Sequence, residues 1–196
     1  MAEREKERVK VLSQECIADG IFSMWIETKA ALSAKPGQFI SMYTQDKSKL
    51  LPRPISICEA DAGRGRLRVV YRVTGEKTGT EQFSRLAEGD GLEIIGPLGN
   101  GFPLERGVGK RVILTGGGIG VPPVLELAKR MDCREKLIVA GYRNSQTFLK
   151  DEFEANGKLY ISTEDGSAGV KGNVLDAIRE GGCDLCMRPF ADAARA

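Results

Sequence analysis

The sequence predicts a small antiparallel β barrel followed by an α/β unit with a parallel sheet, and three observations predict it. Short, β-rich segments broken by turns fill the chain up to Gly107-Val108-Gly109. Beyond that point, apolar runs alternate with helical patterns. The loop Gly116-Gly117-Gly118-Ile119-Gly120 joins the first of those runs to the first of those helices. Short strands at regular spacing favour a barrel, and repeated strand–helix units imply a parallel sheet.

In the first part, strands are expected at Val9–Ile17, Ile21–Glu27, Phe39–Tyr43, Ile55–Glu59, Arg66–Arg72 and Gly91–Ile95. Asp19-Gly20, Pro36-Gly37 and Gly63-Arg64-Gly65 mark turns between them. One helix interrupts the strands at about Thr80–Leu86. In the second part, Arg111–Thr115 is a continuous apolar run, as expected for a strand covered on both faces. A helix at Pro122–Met131, a strand at Leu137–Ala140, a helix at Gln146–Ala155, a strand at Lys158–Ser162 and a helix at Asn173–Arg179 follow. The expected division is residues 1–106 and residues 107–196.

Composition narrows the function. The 196 residues are 41% hydrophobic and 29% charged, as in a soluble globular protein. No run approaches the ~20 apolar residues of a membrane span. The charged start, Met1 to Lys10, lacks the apolar core of a secretory signal, so a cytoplasmic location is expected. With 29 basic and 27 acidic residues the net charge is +2, which gives no long-range pull on nucleic acid. There is no histidine, which excludes histidine-dependent triads and histidine metal ligands, and points to a cofactor as the carrier of any chemistry. Cys16, Cys58 and Cys133 lie in apolar stretches and are expected as buried free thiols.

The glycine loop is the first candidate site. Gly116, Gly117, Gly118, Ile119 and Gly120 sit between a buried strand and a helix that opens on Pro122-Pro123. Proline suits the first helical turn, where its missing N–H has no partner in any case. Glycines let the backbone approach a ligand, and the free N–H groups of the helix start face an anion. A pyrophosphate needs such a cradle. The spacing differs from the GxGxxG dinucleotide fingerprint, and a tight turn without a ligand is the plain alternative.

Upstream, three clusters carry a second signal. Arg53-Pro54-Ile55-Ser56 offers a guanidinium for a phosphate and a hydroxyl for a ring acceptor. Val70-Tyr71-Arg72 adds an aromatic ring and a second guanidinium. Gly79-Thr80 opens the predicted helix, with Thr80 as its expected N-cap. A helix terminus contributes only ~0.3–1 kcal/mol toward an anion, so a pyrophosphate there would also need Arg53 and Arg72. Singly, each cluster also reads as structural: Thr80 a cap, Tyr71 packing, Arg72 a surface charge.

Together with Lys35-Pro36-Gly37-Gln38-Phe39, Gly96-Pro97-Leu98-Gly99-Asn100-Gly101-Phe102 and Glu164-Asp165-Gly166-Ser167, these motifs resemble the electron-transfer (iron–sulfur flavoprotein) subunits of the NAD-dependent dihydroorotate dehydrogenases, within the ferredoxin-reductase superfamily. The similarity runs over about residues 9 to 180. It implies an FAD barrel followed by an NAD domain. FAD would be held by Arg53, Pro54, Ile55, Ser56, Val70, Tyr71, Arg72, Gly79 and Thr80. NAD would be served by Gly116, Gly117, Gly118, Ile119, Gly120 and Pro122. The implied partner is an FMN-containing catalytic subunit, in a heterotetramer, that oxidises dihydroorotate. Electrons would cross a 2Fe-2S cluster to FAD and leave as a hydride on NAD⁺, in pyrimidine biosynthesis.

The chain departs from that pattern at its end. The family's Cys-Gly-Pro-x-Pro-Met-Leu stretch and the four cluster-binding cysteines after it are absent. The chain closes instead with Cys183-Asp184-Leu185-Cys186-Met187-Arg188-Pro189-Phe190 and a short Ala/Asp/Arg tail. Two cysteines do not make a cluster site. Residues 183–196 can be encoded so that a one-base shift yields Ala-Ile-Cys-Ala-Cys-Gly-Pro-Leu-Pro-Met-Leu-Arg, which restores the family motif. The hypothesis is a frame slip near Gly182, which leaves an aberrant tail and a nucleotide domain short of its last strand. A continuous frame through codon 183 in the source genome would contradict it.

Nucleotide choice rests on two short stretches. Arg143, in Tyr142-Arg143-Asn144, can meet a 2′-phosphate or cap a loop; Glu164-Asp165 can accept from ribose hydroxyls and repel that phosphate. The resemblance favours NAD. The rival readings are a reductase subunit of a hydrogenase or of a ferredoxin–nicotinamide transhydrogenase, and a non-catalytic flavin-binding interaction subunit. No acid or base stands out as catalytic.

Overall fold

A computed structural model describes residues 6–46 and 51–180. Its first half is a barrel of β1 (Glu7–Ala18), β2 (Ile21–Glu27), β3 (Phe39–Tyr43), β4 (Arg53–Asp61), β5 (Arg66–Arg72) and β6 (Gly91–Leu98). The strands close in the order β1-β2-β5-β4-β3-β6, and each neighbouring pair is antiparallel. The alternation of a strand explains the closure. On β5, Leu67, Val69 and Tyr71 point into the barrel with Val11, Met24, Ile40, Ile57 and Ile94, while Val70 points out. Gly20 and Gly65, at φ 65° and 62°, supply the left-handed residues of two predicted turns.

The second half is a parallel sheet of β7 (Arg111–Gly117), β8 (Glu135–Tyr142), β9 (Lys158–Thr163) and β10 (Val170–Lys171), in the order β10-β9-β8-β7. The helices are α1 (Gly79–Ser84) in the barrel half, then α2 (Pro122–Arg130), α3 (Lys150–Glu154) and α4 (Val174–Glu180). Ile138, Ala140 and Tyr142 of β8 pack with α2 and α3 on one face. Leu137 and Val139 pack with Ala177 and Ile178 of α4 on the other. That double cover is why β8 reads as a nearly unbroken apolar run.

Several expectations are corrected. The helix expected at Gln146–Ala155 is only α3, because Asn144 Oδ1 accepts from the Gln146 N–H at 3.0 Å in a local turn, and Leu149 adopts φ 64°. The cap of α1 is Thr78, not Thr80: Thr78 Oγ1 accepts from the Glu81 N–H at 3.2 Å. Among the three described cysteines, Cys16 is exposed, Cys133 half-buried and only Cys58 buried. The aberrant tail expected at 183–196, with Cys183 and Cys186, lies outside the described residues.

The barrel and the sheet meet along α2. Val121, Val124, Leu125, Leu127 and Ala128 share one buried cluster with Ile21, Cys58 and Val70 from the outer barrel wall. Charged groups border it. Arg68, 8% exposed, donates to both carboxylate oxygens of Glu152 at 2.9 and 2.7 Å and to Ser23 Oγ at 2.8 Å. Lys129 pairs with Glu59 at 2.8 Å. Burial pushes the Cys58 thiol up to about 12, so it behaves here as a small apolar side chain.

Glu126 lies in the same seam, 4% exposed, and accepts from the Ala60 N–H of β4 at 3.2 Å. Desolvation holds its carboxyl above the usual range. A carboxyl raised in this way favours folding below its unfolded-state value of about 4.3. That contribution is lost as pH rises through the folded value. Glu126→Gln keeps an acceptor for Ala60 and removes the charge. The prediction is a variant that melts above the parent at pH 7, with the gap closing below about pH 4. Thermal unfolding across pH measures it, and a gap that ignores pH contradicts it.

Candidate functional site

The C-terminal ends of β7, β8 and β9 and one end of β5 meet at the open side of the seam. Gly116 shows why the loop must turn there. A Cβ on Gly116 would lie 2.6 Å from the Gly120 carbonyl oxygen and 2.9 Å from Val121 Cα, so only glycine lets strand and helix approach this closely. Gly118, at φ 53°, supplies a left-handed residue. The Val121 N–H then donates to the Gly118 carbonyl at 3.1 Å, and Pro122 enters the first turn of α2.

Gly117 and Gly120 differ from these two. Neither has a positive φ, and a Cβ on either would meet nothing within 4 Å. Neither the fold nor its packing requires glycine at these positions. Their bare backbone faces open space, as a ligand-approach surface requires.

Three cavities surround this point. One of about 280 Å³ is lined by Arg53, Pro54, Ile55, Ser56, Val70, Tyr71, Arg72, Thr74, Thr80 and Ile119. Eight of the nine barrel residues predicted as a site therefore line one cavity, together with Ile119 of the glycine loop. A second, of about 380 Å³, runs over Gly117, Gly118 and Ile119 to Gly141, Arg143 and Glu164. A third, of about 310 Å³, lies between the Asp19-Gly20 turn and Arg143-Asn144. Arg72 lines all three. Its Nη2 lies 3.8 Å from the place a Gly118 Cβ would occupy. Among the described residues the Arg72 guanidinium has no hydrogen bond or ion pair.

The remaining barrel residues take distinct parts. Arg53 donates to the Leu51 carbonyl at 2.8 Å. Its Nε sits 3.1 Å from the position of a Gly79 Cβ, so Gly79, the ninth predicted residue, makes room for the arginine. Thr80 is 5% exposed, and its Oγ1 accepts from the Thr74 N–H at 3.1 Å; it fixes the cavity rim. Tyr71 is 1% exposed, and its hydroxyl donates to Gln14 Oε1 at 2.6 Å. Burial raises the phenol well above its usual range, so its ring supports the wall as a neutral group.

The cavity suits a flavin dinucleotide in chemistry. Pro54, Ile55, Val70 and Ile119 give it apolar walls, Ser56 gives it a hydroxyl with no other partner among the described residues, and Arg53 and Arg72 give it two guanidinium groups for phosphates. Among the described residues, no group of three or more Cys, Asp or Glu side chains stands together as a metal site. The residues that sequence reasoning left out of its site are Thr74, which anchors Thr80, and Gly141. A Cβ on Gly141 would meet Val174 Cγ1 at 2.8 Å and Ser162 Oγ at 3.3 Å. Nothing local in the sequence marks Gly141, because its neighbours come from β9 and α4.

Comparison with known proteins adds family evidence. Residues 8–102 match the family model described as an oxidoreductase FAD-binding domain. The chain is 40% identical over 178 residues to the electron transfer subunit of dihydroorotate dehydrogenase B (NAD(+)) from Streptococcus pneumoniae R6, covering 89% of this chain and 69% of that relative. The subunit of the same name from Bacillus caldolyticus is 38% identical over 179 residues, covering 88% of this chain and 69% of that relative. Among solved structures, the NADH-dependent reduced ferredoxin–NADP oxidoreductase aligns with TM-score 0.77 at 27% identity, over 88% of this chain and 62% of that one. A Neisseria gonorrhoeae ferredoxin NADP⁺ reductase with bound FAD and NADP aligns with TM-score 0.74 at 16% identity, over 91% of this chain and 77% of that one, a likeness of fold.

The two kinds of glycine separate by experiment. Gly116→Ala is expected to cost about 1–3 kcal/mol by overpacking. Gly117→Ala, in extended backbone at φ −126° with open space around it, is expected to stay within about 0.5 kcal/mol of the parent. Denaturant unfolding measures both, and equal costs would contradict the division.

Proposed function

The chain belongs to the family of electron transfer subunits of dihydroorotate dehydrogenase B (NAD(+)), and from that premise we propose that it binds FAD in the barrel cavity and NAD across the glycine loop. In this reading it carries electrons from a dihydroorotate-oxidising, FMN-containing catalytic subunit to NAD⁺ in pyrimidine biosynthesis. The pair would form a heterotetramer in the cytoplasm. Residues 1–106 would serve the flavin and residues 107–196 the nicotinamide nucleotide. Among the described residues, no helix is long and apolar enough to cross a membrane.

The observation that carries this reading is the shared wall. Ile119 and Arg72 line both the barrel cavity and the glycine-loop cavity, so ligands in the two would meet there. FAD, when bound, supplies the redox chemistry, taking or giving electrons singly or as a hydride. The chain's residues supply position and electrostatics. Arg53, steadied by Leu51 and by the gap at Gly79, would pair a phosphate bidentately. Ser56 would donate to a ring acceptor. Gly117 and Gly120 would let a second pyrophosphate approach the backbone at the start of α2. Pro54, Ile55, Val70 and Ile119 would exclude water from one flavin face. No side chain is asked to move a proton.

A second reading keeps the same site and changes the donor. The likeness to the NADH-dependent reduced ferredoxin–NADP oxidoreductase favours a ferredoxin-coupled reductase subunit as that alternative. A gene for a dihydroorotate-oxidising barrel beside this one would distinguish the two.

Purified protein incubated with FAD and desalted is expected to stay yellow, and NADH is expected to bleach the flavin band in the absence of oxygen. Retained flavin that NADH leaves unchanged would point to an interaction subunit instead. Arg53→Ala is expected to weaken FAD about 10- to 100-fold, the range of a lost charge-assisted hydrogen bond. Fluorescence titration of FAD checks this, and unchanged affinity contradicts the role of Arg53.

A further inference from the structure

Taking the barrel cavity as the flavin site, as proposed above, we infer that Gln14 is a positioning residue of that site: one carboxamide on β1 holds both the Tyr71 ring of its wall and the helix α1 at its rim. Gln14 does not line the cavity. It acts through residues that do.

The strand has to bend to deliver this side chain. On β1, Val9 and Val11 point into the barrel. Strict alternation would bring Ser13 in next and turn Gln14 out. The ladder breaks at that point. Val11 stands opposite Ile26 and Ser13 opposite Trp25, so β1 advances by two residues while β2 advances by one. Leu12 is the extra residue of this bulge, and the facing reverses after it. Ser13 and Glu15 are exposed, and Gln14 between them is half-buried. Bulges re-aim side chains in this way, and they gather beside functional sites.

Pointed inward, the Gln14 carboxamide is used at both ends. Its Nε2 donates to the Phe83 carbonyl at 3.0 Å and to the Leu86 carbonyl at 2.7 Å. Its Oε1 accepts from the Tyr71 hydroxyl at 2.6 Å. The two carbonyls lie at the C-terminal end of α1, where a helix leaves acceptors unfilled. With six residues, α1 depends on such outside contacts for its place. Gln14 ties the far end of α1 to β1. At the near end, Thr80 sets the cavity rim and Gly79 makes room for Arg53. The Tyr71 ring, stacked on Phe22 at 6.0 Å and edge-on to Phe83 at 6.2 Å, is set by the same carboxamide. The double task explains the residue type. A carboxylate of this length accepts from the phenol but donates to neither carbonyl, and a methionine fills the space with no donor.

FAD titration of the apoprotein tests this role. Flavin fluorescence gives the affinity, and the visible circular dichroism of the bound flavin gives a second readout. Gln14→Met, nearly isosteric, is expected to weaken FAD about tenfold and to change the dichroism. Tyr71→Phe keeps the ring and cuts one of the three hydrogen bonds; it is expected to weaken FAD about threefold. A contribution to stability alone would lower the melting temperature and leave affinity and dichroism where they are. A folded Gln14→Met with parental affinity and dichroism therefore overturns the inference and leaves the flavin site standing. Should Gln14→Met fail to fold, Tyr71→Phe decides, and parental affinity and dichroism in that variant overturn the inference. A parent that binds no FAD overturns the flavin reading as well.

Discussion

The seat of α2 on the barrel wall is the constraint on which the rest of the structure depends. That contact buries Val121, Leu125 and Ala128 against Ile21, Cys58 and Val70, so the two halves share one core rather than a wet interface. Apolar burial at ~25 cal/mol per Å² makes such a seam hard to open. Because α2 begins at Pro122, two residues past Gly120, fixing the helix also fixes the glycine loop. The loop in turn brings Ile119 to the barrel cavity and Gly118 to Arg72.

The polar groups of the seam add register to this burial. Arg68 is held by Glu152 from the sheet half and Ser23 from the barrel, which fixes its guanidinium plane in two directions. Glu126 answers a β4 N–H that the strand ladder leaves unpaired near the bulge between Ile57 and Glu59. Burial of this carboxylate works against stability at neutral pH. Its position instead specifies how far α2 slides along β4. A shift of one turn would move the glycine loop by about 5 Å, enough to separate the two cavities.

Much of this was legible in the sequence. Strand positions followed from short β-rich segments broken by turns, and the parallel sheet from apolar runs such as Arg111–Thr115 and Leu137–Ala140 that alternate with helical patterns. Arg53–Ser56, Val70–Arg72 and Thr80 were readable as a group because they are compact local motifs, and the cavity they line is closed by Ile119. What escaped depends largely on which nearby side chain captures a backbone N–H first. Thr78 rather than Thr80 caps α1 because Thr78 Oγ1 takes the Glu81 N–H, so the helix opens at Gly79. The helix expected from Gln146 shortens because the Asn144 side chain captures a backbone N–H first. Glu164 and Asp165 look alike in sequence, and the structure tells them apart because Ser167 holds the Asp165 carboxylate in a local turn. The exposure of Cys16 could not be read from its apolar neighbours, because the long β1 runs past the barrel core before it turns.

Ile119 and Arg72 line both cavities, and in the proposed function a nicotinamide ring in the glycine-loop cavity would touch a flavin in the barrel cavity at that wall. The most direct measurement is the absorption spectrum of the FAD-loaded, chemically reduced protein titrated with NAD⁺ in the absence of oxygen. Stacked reduced flavin and oxidised nicotinamide exchange charge and absorb at long wavelength. A new long-wavelength band that saturates with NAD⁺ is expected. Saturating NAD⁺ binding, measured calorimetrically on the same sample, with no such band and no reoxidation of the flavin would contradict it.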